Sequence, residues 1–485
     1  MTTLHLLFDE YWPHLALLLS ITVGGSAAIH AAMTKSDVRA AIAWVGVIVM
    51  SPLLGPLVYL IAGINRIRHD QISDQRNRSL RQYTINTALA PIDIAQLAAP
   101  QFTSLHTLSN RVSRFALRAG NHVRILRSGD EAYPAMIAAI DAAERTIALC
   151  TYIFDNDSQG KLFVEALARA HKRGVEIRVL IDAIGVRYSR PPNITWSLRR
   201  NGIRYALFMT NPLGIRMPYA NLRSHRKILV VDGCIGFTGG MNIRESFVST
   251  VAGTKTANDT HFRIEGPAVV QLMAVFAHDW EFTTKETLAF ERWVAHDWSP
   301  PQPHVAVRCV HSGPDRYVAS THNLLLGAFA VAQHHIRIQS PYFLPDQVLL
   351  GAINTAARRG VLVDIVIPGQ NNLRLVNYAM TAQLDQVVRA GCRVWRAAGN
   401  FNHSKLATID GAWSLIGSSN LDPRSLRLNF ELDMEIYSRP VARQIEDLID
   451  LEISHSELVT LESLAAIPFR KRLRNRIIWL ASPYL

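Results

Sequence analysis

Cysteine is scarce in this chain, with four residues in 485, at Cys150, Cys234, Cys309 and Cys392. They lie far apart and form no C-x-x-C pair. This spacing argues against a zinc site and against a dense disulfide scaffold. It fits a protein that works in a reducing compartment.

Acidic residues are outnumbered, since 39 Asp and Glu stand against 51 Lys and Arg, for a net charge of +12. Such a balance suits an anionic partner, either a lipid surface or a nucleic acid. A basic surface that is merely solvated would give the same count. Net charge alone therefore predicts the sign of a partner's charge but not whether the partner is a lipid surface or a nucleic acid.

Charged residues are absent from residues 40–62, whose sequence is AAIAWVGVIVMSPLLGPLVYLIA. At about 1.5 Å per residue, a helix of this length crosses a bilayer core of ~30 Å. Pro52 and Pro56 would break a helix in water but are better tolerated in a bilayer. Trp44 and Tyr59 lie near the ends, where interface aromatics are expected. The run predicts a transmembrane helix, and the alternative is a buried core helix.

An earlier run, residues 11–34, also lacks Asp, Glu, Lys and Arg and predicts another span. A signal peptide fits it poorly, because Asp9 and Glu10 precede it in place of a basic segment. Between the two runs the basic residues are Lys35 and Arg39. After the second run come Arg66, Arg68, Arg76, Arg78 and Arg81. By the positive-inside rule, the rest of the chain and the N-terminus are expected in the cytoplasm.

One short pattern, H-x-K-x-x-x-x-D, occurs twice, as HRKILVVD at 225–232 and as HSKLATID at 403–410. Histidine can act as nucleophile or acid near neutral pH, and lysine can hold the anionic oxygens of a phosphoryl group. The pair therefore suits attack on a phosphodiester. The catalytic candidates are His225, Lys227, Asp232, His403, Lys405 and Asp410.

Further polar residues follow both copies at matching positions. Asn242 in GFTGGMNI and Asn420 in LIGSSNLD each stand 17 residues after the motif histidine. Asp259 in NDTHFRIEGP and Glu431 in NFELDMEI come next. Both halves of the chain thus resemble the phospholipase D superfamily.

The resemblance implies a metal-free mechanism that needs no cofactor. It implies that His225 attacks phosphorus to form a phosphohistidine and that His403 protonates the leaving alcohol, after which an alcohol or water resolves the intermediate. Lys227, Lys405, Asn242 and Asn420 would clamp the phosphate, and Asp259 and Glu431 would orient the imidazoles. Asp232 and Asp410 are expected to buttress the site without touching substrate.

Strand and helix patterns also repeat along the body. A strand at 147–154, a helix at 162–173 and a strand at 175–181 return at 336–342, 348–359 and 361–367. RGVEIRVLID aligns with RGVLVDIVIP further on. We predict an α/β fold of duplicated phospholipase D-type lobes that face each other across a pseudo-twofold axis, after N-terminal transmembrane helices. The predicted parts are a two-helix membrane anchor at 1–65, a basic irregular connector at 66–118, lobes at 119–300 and 301–465, and a basic amphipathic tail at 466–485.

In detail the chain resembles bacterial cardiolipin synthases of the phospholipase D type. The matching stretches are TYIFDND, NLRSHRK, DTHFRIEGPAV, SGPD, SPYFLPD and the closing SPYL. The resemblance implies an enzyme of the bacterial inner membrane that makes cardiolipin and glycerol from two molecules of phosphatidylglycerol, with anionic membrane lipid as its partner and no nucleic acid. Ser340 replaces an expected threonine, and Ala257 and Asn258 replace an expected Trp-Arg.

Three other functions compete with this interpretation. A phospholipase D that hydrolyses lipid would use the same residues, with water as acceptor. A nuclease of the superfamily suits a basic chain, but it gains nothing from the charge-free run at 40–62. A membrane scaffold without activity would not need both histidines and both lysines.

The tail FRKRLRNRIIWLASPYL places Phe469, Leu473, Ile477 and Leu480 on one helical stripe, with most basic residues elsewhere. Such a helix suits a membrane interface. The alternative is a terminal helix docked on the body with a solvated basic face.

Overall fold

The computed structural model describes residues 2–35, 37–63, 92–189, 191–210, 222–295, 305–315 and 317–482. Residues up to Ile67 form one compact unit, and those from Arg68 onward form a second. The α-helices are Thr2–Thr34, Val38–Met50, Leu54–Val58, Ile94–Leu97, Phe102–Val112, Ser128–Ala142, Ser158–Lys172, Ile194–Arg200, Ser249–Ala252, Val269–Thr284, Phe290–Trp293, Ser320–Val331, Gln347–Arg358, Arg374–Val388, Pro423–Arg427, Arg439–Ser454, Leu461–Ala465 and Phe469–Leu480.

The first unit is helical, and its helices differ from the predicted pair. One helix, Thr2–Thr34, contains a stretch long and apolar enough to span a membrane, His14–Thr34. The charge-free run at 40–62 is not one helix, because Val38–Met50 ends at Ser51 and a short helix restarts at Leu54. Pro52 has no backbone N–H to continue the first helix, which explains the break. In the described part of the chain, one helix is thus long and apolar enough to span a membrane, and the second predicted span is not confirmed as a single helix.

Sixteen strands are described in the second unit. They are β1 His122–Arg127, β2 Thr146–Thr151, β3 Glu176–Asp182, β4 Tyr205–Phe208, β5 Arg223–Ser224, β6 Ile228–Val231, β7 Ile235–Gly239, β8 Thr260–Glu265, β9 Ala306–Ser312, β10 His335–Gln339, β11 Leu362–Pro368, β12 Arg393–Ala397, β13 Leu406–Ile409, β14 Trp413–Gly417, β15 Asn429–Tyr437 and β16 Ser456–Leu458.

The two sheets repeat one topology. The first runs β1-β8-β7-β6-β2-β3-β4, with parallel pairing from β2 to β4 and antiparallel pairing elsewhere. The second runs β9-β15-β14-β13-β10-β11-β12 with the same directions, and β16 adds an edge. The predicted α/β duplication is therefore confirmed, and every strand pairing of the first sheet has a counterpart in the second.

Turns inside the repeat also match. Gly174 and Gly360 end equivalent helices with φ of 90° and 91°, a left-handed conformation that glycine adopts without penalty. The strand predicted at 147–154 ends at Thr151, and the helix predicted from 162 begins at Ser158. The helix begins early because the Asp157 side chain accepts a hydrogen bond from the Gly160 N–H and caps it.

The expected connector at 66–118 divides into two parts. Residues 66–91 lie outside the described residues. Residues 92–118 are not irregular, because they include helices Ile94–Leu97 and Phe102–Val112. Phe102 and Leu105 are buried in the core of the second sheet and its helices. This segment therefore completes the core of the second lobe and does not lie free as a connector.

The C-terminal helix Phe469–Leu480 is docked through its polar side. It packs on helix Arg374–Val388, where the Arg474 guanidinium lies 3.6 Å from the Tyr378 ring centroid and Arg476 pairs with Asp385 at 3.1 Å. The predicted apolar stripe faces outward, with Phe469, Leu473, Ile477 and Leu480 exposed by 68%, 48%, 58% and 72%. The helix is therefore docked on the body, as one alternative predicts, but two of its basic side chains take part in the docking and its apolar stripe is exposed.

Candidate active site

Each motif histidine is held by a strand of the opposite lobe. Strand β5 leaves the first lobe and pairs in parallel with the start of β15, so that the His225 N–H donates to the Phe430 carbonyl at 2.9 Å. In the second lobe, Asn402 bridges to Asn258, and the His403 N–H donates to the Asn258 carbonyl at 2.7 Å. The two exchanges are equivalent, so the duplication builds one shared site.

The residues that accept these backbone bonds immediately precede the two carboxylates. His225 Nδ1 lies 3.0 Å from Glu431 Oε2, and His403 Nδ1 lies 2.8 Å from Asp259 Oδ2. A carboxylate at Nδ1 fixes the ring and its tautomer, and it leaves Nε2 as the nitrogen for chemistry. Asp259 and Glu431 therefore orient the imidazoles from across the lobe interface.

The two carboxylates differ in their support. Glu431 also accepts hydrogen bonds from the Ser418 hydroxyl at 2.6 Å and from the Asn429 amide at 3.1 Å. Gly240 occupies the position equivalent to Ser418, and Asp259 receives the Thr260 N–H at 2.7 Å instead. A Cβ on Gly240 would lie 2.5 Å from Asp259 Oδ1. In the first lobe Gly240 leaves space for the Asp259 carboxylate, whereas in the second lobe Ser418 donates a hydrogen bond to the Glu431 carboxylate.

Burial changes the acidity of both carboxylates. Burial raises the pKa of Asp259 to about 6, against the lowering effect of Lys405 and the Thr260 N–H. Burial also acts to raise the pKa of Glu431, but His225, Lys227 and Ser418 outweigh it and leave that pKa below its usual range. Glu431 is therefore the carboxylate with the more firmly fixed negative charge.

The motif lysines lie buried beside the histidines. Lys227 Nζ donates to the His225 carbonyl at 2.6 Å, and Lys405 Nζ makes the same bond to the His403 carbonyl. Burial lowers the pKa of Lys227 to about 7 and that of Lys405 to about 8, with Asp259 and Glu431 opposing the effect. A phosphodiester anion bound between the ammonium groups would favour their charged forms.

Burial also lowers the pKa of both histidines. For His225, Glu431 opposes the effect and Lys227 adds to it. For His403 the pKa is well below its usual range, because Lys405, Lys227 and His225 add to burial. These mutual effects arise because the two motifs lie close together in one site.

Asp232 and Asp410 lie at the far ends of the motif strands and bind backbone there, an arrangement that fits the buttressing role that the sequence favours over contact with substrate. The Asp232 carboxylate accepts backbone N–H bonds from residues 144–146 at 2.7–2.9 Å. Asp410 binds residues 333–335 in the same way at 2.8–2.9 Å. Both have φ of 51°, Asp232 in the tight turn between β6 and β7 and Asp410 in the equivalent turn between β13 and β14. Neither lines the cavity described next.

Both histidines line one cavity of about 620 Å³. Asn242 and Asn420 also line it, as the sequence predicts for phosphate-binding residues. The Asn242 side-chain Oδ1 accepts the Ile153 N–H at 3.2 Å, so the NH₂ group of the same amide is the part that could donate to an anion. The Asn420 amide donates to the Ser425 hydroxyl at 3.2 Å, and its Oδ1 is buried with no hydrogen-bond partner among the described residues.

The cavity also contains side chains that the sequence analysis did not single out. Aromatic rings pack against both imidazoles, with Tyr152 5.2 Å from His225, and Phe401 and Tyr342 5.8 and 6.2 Å from His403, between centroids. Additional cations line the wall, namely Arg223, Arg244, Lys255 and Arg424. Tyr152, Arg223 and Tyr342 belong to stretches that carry the family resemblance. Their position in those stretches is the sequence feature that could have identified them as residues of the site.

Arg226, between His225 and Lys227, is a further residue that the sequence analysis passed over. It is fully buried, and its guanidinium donates to Asp279 at 2.5 Å and to the carbonyls of Glu431 and Ser312 at 3.0 Å. It thus joins the two lobes directly behind the catalytic strand. The second motif has Ser404 at this position.

The departures from the family pattern lie beside the site. Ser340 Oγ donates to the Tyr342 carbonyl at 3.2 Å, as Thr151 does to the Ile153 carbonyl at 3.0 Å, so the serine retains the role of a threonine. Ala257 lines the cavity. Among the described residues, no group of three or more His, Cys, Asp or Glu side chains has the arrangement of a metal site.

Comparison with known proteins agrees with this geometry. The family described as cardiolipin synthase, phospholipase D-like domain, matches residues 136–280 and 325–451. This chain belongs to that family. A phospholipase D-nuclease N-terminal family matches residues 26–63. Among curated relatives, cardiolipin synthase A of Pseudomonas entomophila is 31% identical over 96% of both chains. Cardiolipin synthase A of Pseudomonas aeruginosa is 32% identical over 97% of this chain and 96% of its own.

The fold also matches a solved structure. The crystal structure of a phosphatidylserine synthase from Haemophilus influenzae superposes with a TM-score of 0.60 at 17% identity, over 79% of this chain and all of the other. At 17% identity this comparison shows a shared fold alone. The duplicated α/β body is therefore shared with a solved protein of the same architecture.

Proposed function

We propose that this chain is a cardiolipin synthase that transfers a phosphatidyl group from one phosphatidylglycerol to another and releases glycerol. One arrangement supports this reaction most directly. Two imidazoles, each held at Nδ1 by a carboxylate of the other lobe, line the same cavity beside two buried lysines. Curated relatives named cardiolipin synthase A, matching over 96% of the chain, support the choice of lipid.

In the first step, His225 Nε2 attacks phosphorus and the bond from phosphorus to the glycerol oxygen breaks. His403 Nε2 gives its proton to the departing glycerol. Lys227 and Lys405 neutralise the charge on the non-bridging oxygens as the transition state forms. The products of this half-reaction are glycerol and a phosphatidyl group on His225.

In the second step, the terminal hydroxyl of another phosphatidylglycerol attacks the same phosphorus. His403 now accepts the hydroxyl proton, and the phosphorus–nitrogen bond to His225 breaks. Both histidines return to their starting states, as microscopic reversibility requires. Water in place of the hydroxyl would give phosphatidic acid, which is the hydrolase alternative. A nuclease would use the same histidines on a nucleic-acid diester, the less favoured alternative.

We also propose that the enzyme is a multi-pass protein of the bacterial inner membrane, with its catalytic body in the cytoplasm. The span His14–Thr34 and the exposed apolar side chains of Val38–Met50 support membrane insertion of both helices. The excess of arginine after residue 63 supports the orientation. This orientation can be tested with an impermeant thiol reagent and two variants, one with a single engineered cysteine near residue 36 and one with a single engineered cysteine in the body. Only the cysteine near residue 36 should react in intact cells.

The reaction is tested with purified protein in detergent, labelled phosphatidylglycerol and EDTA, beside His225→Ala and His403→Ala. We expect cardiolipin and glycerol from the wild type only. Phosphatidic acid as the sole lipid product would identify a hydrolase. Retention of synthesis by either alanine variant would contradict the two-histidine mechanism.

A further inference from the structure

Four cationic side chains line the cavity, and they fall into two pairs. Arg223 lies two residues before His225, and its pKa is lowered by burial and by the nearby guanidinium of Arg424. Arg244 and Lys255 lie in the segment that packs on His403, where the Phe247 ring is 6.4 Å from the imidazole. Arg223 and Arg424 thus form one cationic pair, and Arg244 and Lys255 form a second that flanks Phe247 along the chain, whose ring packs near His403.

These pairs are not copies of each other, although the lobes are. The position equivalent to Arg223, two residues before the motif histidine, holds Phe401. The position equivalent to Arg244, two residues after the motif asparagine, holds Asp422. Both replacements line the same cavity. The duplication thus keeps the reacting groups symmetric and makes the surrounding wall asymmetric, as expected if the two ends meet different parts of the substrates.

The chemistry assigns a different ligand to each end. In an in-line displacement the leaving and entering oxygens occupy the face of phosphorus opposite the nucleophile. With His225 as nucleophile, glycerol leaves and the acceptor hydroxyl enters on the side of His403. An acceptor phosphatidylglycerol carries its own phosphodiester one glycerol length from that hydroxyl. This second anion is not broken, and it must lie against the wall next to His403.

We propose that Arg244 and Lys255 bind the phosphodiester of the acceptor lipid. Arg244 is held in place by Asp155, whose Oδ2 lies 2.9 Å from its Nε, and the Arg244 side chain remains 37% exposed. Lys255 is exposed on the turn Gly253–Lys255. A planar guanidinium and a mobile ammonium together suit an anion that arrives and departs in each cycle.

This site would also distinguish acceptors. Water and simple alcohols carry no phosphate and gain nothing from Arg244 or Lys255, whereas phosphatidylglycerol gains two charge-assisted contacts. The inference rests on the proposed function, and it names the residues that would favour synthesis over hydrolysis.

The test is a competition between a charged and a neutral acceptor. Labelled phosphatidylglycerol is supplied with 1-butanol in detergent, and the ratio of cardiolipin to phosphatidylbutanol is measured for each variant. We expect Lys255→Gln and Arg244→Gln each to lower this ratio about tenfold, the loss of one charge-assisted contact. Arg244→Lys, which keeps the charge, should restore part of it. Arg223→Gln is the matched control at the other end.

The possible outcomes distinguish failure of the proposed function from failure of the proposed acceptor site. A wild type that forms phosphatidylbutanol but no cardiolipin would reject the proposed function. A wild type that forms cardiolipin, with ratios unchanged in both Lys255→Gln and Arg244→Gln, would reject the acceptor site. A ratio lowered by Arg223→Gln alone would place the acceptor at His225 and also overturn the proposal. Because Lys255 is exposed, its variant keeps the test valid if Arg244→Gln fails to fold.

Discussion

His225 Nδ1 and Glu431 Oε2 lie 3.0 Å apart, yet the two residues belong to different lobes. His403 and Asp259 repeat the relationship in the opposite direction at 2.8 Å. Each lobe therefore supplies an imidazole whose Nδ1 is held by a carboxylate of the other lobe. A single lobe would have an imidazole and a lysine but no carboxylate at Nδ1, which explains why the duplicated halves are joined face to face.

Removing the charge of Glu431 should impair catalysis more than stability. In Glu431→Gln the side chain keeps its size, but His225 loses the anion that stabilises its ring orientation. We expect kcat to fall by roughly 10²- to 10⁴-fold, the range between losing a partner that orients a histidine and losing the carboxylate of a catalytic triad. Steady-state kinetics with phosphatidylglycerol measures it. Ser418→Ala, which removes one bond to the same carboxylate, should cost far less, and equal losses would contradict this account.

The pH profile should follow the buried histidines and lysines. His225 must be neutral to attack, and burial lowers its pKa, so activity should be lost only as pH falls below the usual histidine range. The lysines must be charged to hold phosphate, and burial lowers the pKa of Lys227 to about 7 and that of Lys405 to about 8. Activity in the free enzyme should therefore fall as pH rises, first as His403 loses the proton that it must donate and then, through about pH 7 to 8, as the lysines lose theirs, and kcat/KM should be bell-shaped.

Bound substrate should shift the alkaline limb of the pH profile to higher pH. A phosphodiester anion stabilises the charged lysines, so the limb of kcat should lie at higher pH than that of kcat/KM. The same anion should raise the pKa of His403, whose value in the empty site is well below the usual range, and allow it to act as acid. A profile that is flat between about pH 5 and 9 would reject both the histidine and the lysine assignments.

Arg226 should matter for stability because its pairing with Asp279 is fully buried. Arg226→Ala leaves that carboxylate buried without its guanidinium partner, and we expect a loss of about 3–5 kcal/mol in the free energy of unfolding. Arg169→Ala breaks an exposed pair with Asp141 and should cost at most about 1 kcal/mol. Denaturant unfolding in detergent compares the two. Similar losses would show that the buried pair of Arg226 and Asp279 contributes no more to stability than an exposed pair.

Asp410 provides a test of structural against catalytic roles. Asp410→Ala removes the acceptor of three backbone bonds and places alanine at a φ of 51°, so it should destabilise the second lobe by roughly 3 kcal/mol. Asp410→Asn keeps an acceptor and tolerates that φ, so its kcat should stay within about threefold of the wild type. A large loss of kcat in a stable Asp410→Asn protein would restore the aspartate to the catalytic group.

The sequence predicts the reacting groups better than their arrangement. The spacing of His225 and His403 to their lysines and asparagines is local, so the motifs reveal it directly. The exchange of carboxylates is not local, because it depends on the register of β5 against β15, which pattern alone does not fix. Arg226 was missed for the same reason, since its partners lie in three distant segments. The helices of the first unit differ from the predicted pair because Pro52 interrupts residues 40–62. The apolar composition of that stretch is continuous and does not reveal the break.

The exposed stripe of the C-terminal helix gives the last prediction. Its polar side is anchored on helix Arg374–Val388, whose N-terminal end reaches Leu373 and Val376 at the cavity wall. Apolar side chains that face outward beside arginine and lysine suit an anionic lipid surface. We expect Ile477→Glu to slow cardiolipin synthesis from phosphatidylglycerol in reconstituted vesicles by about tenfold while slowing it much less in detergent micelles, where lipid reaches the cavity without docking. Leu162→Glu, at another exposed position, is the control. Equal rates for Ile477→Glu and Leu162→Glu in vesicles would show that the stripe does not contact the membrane.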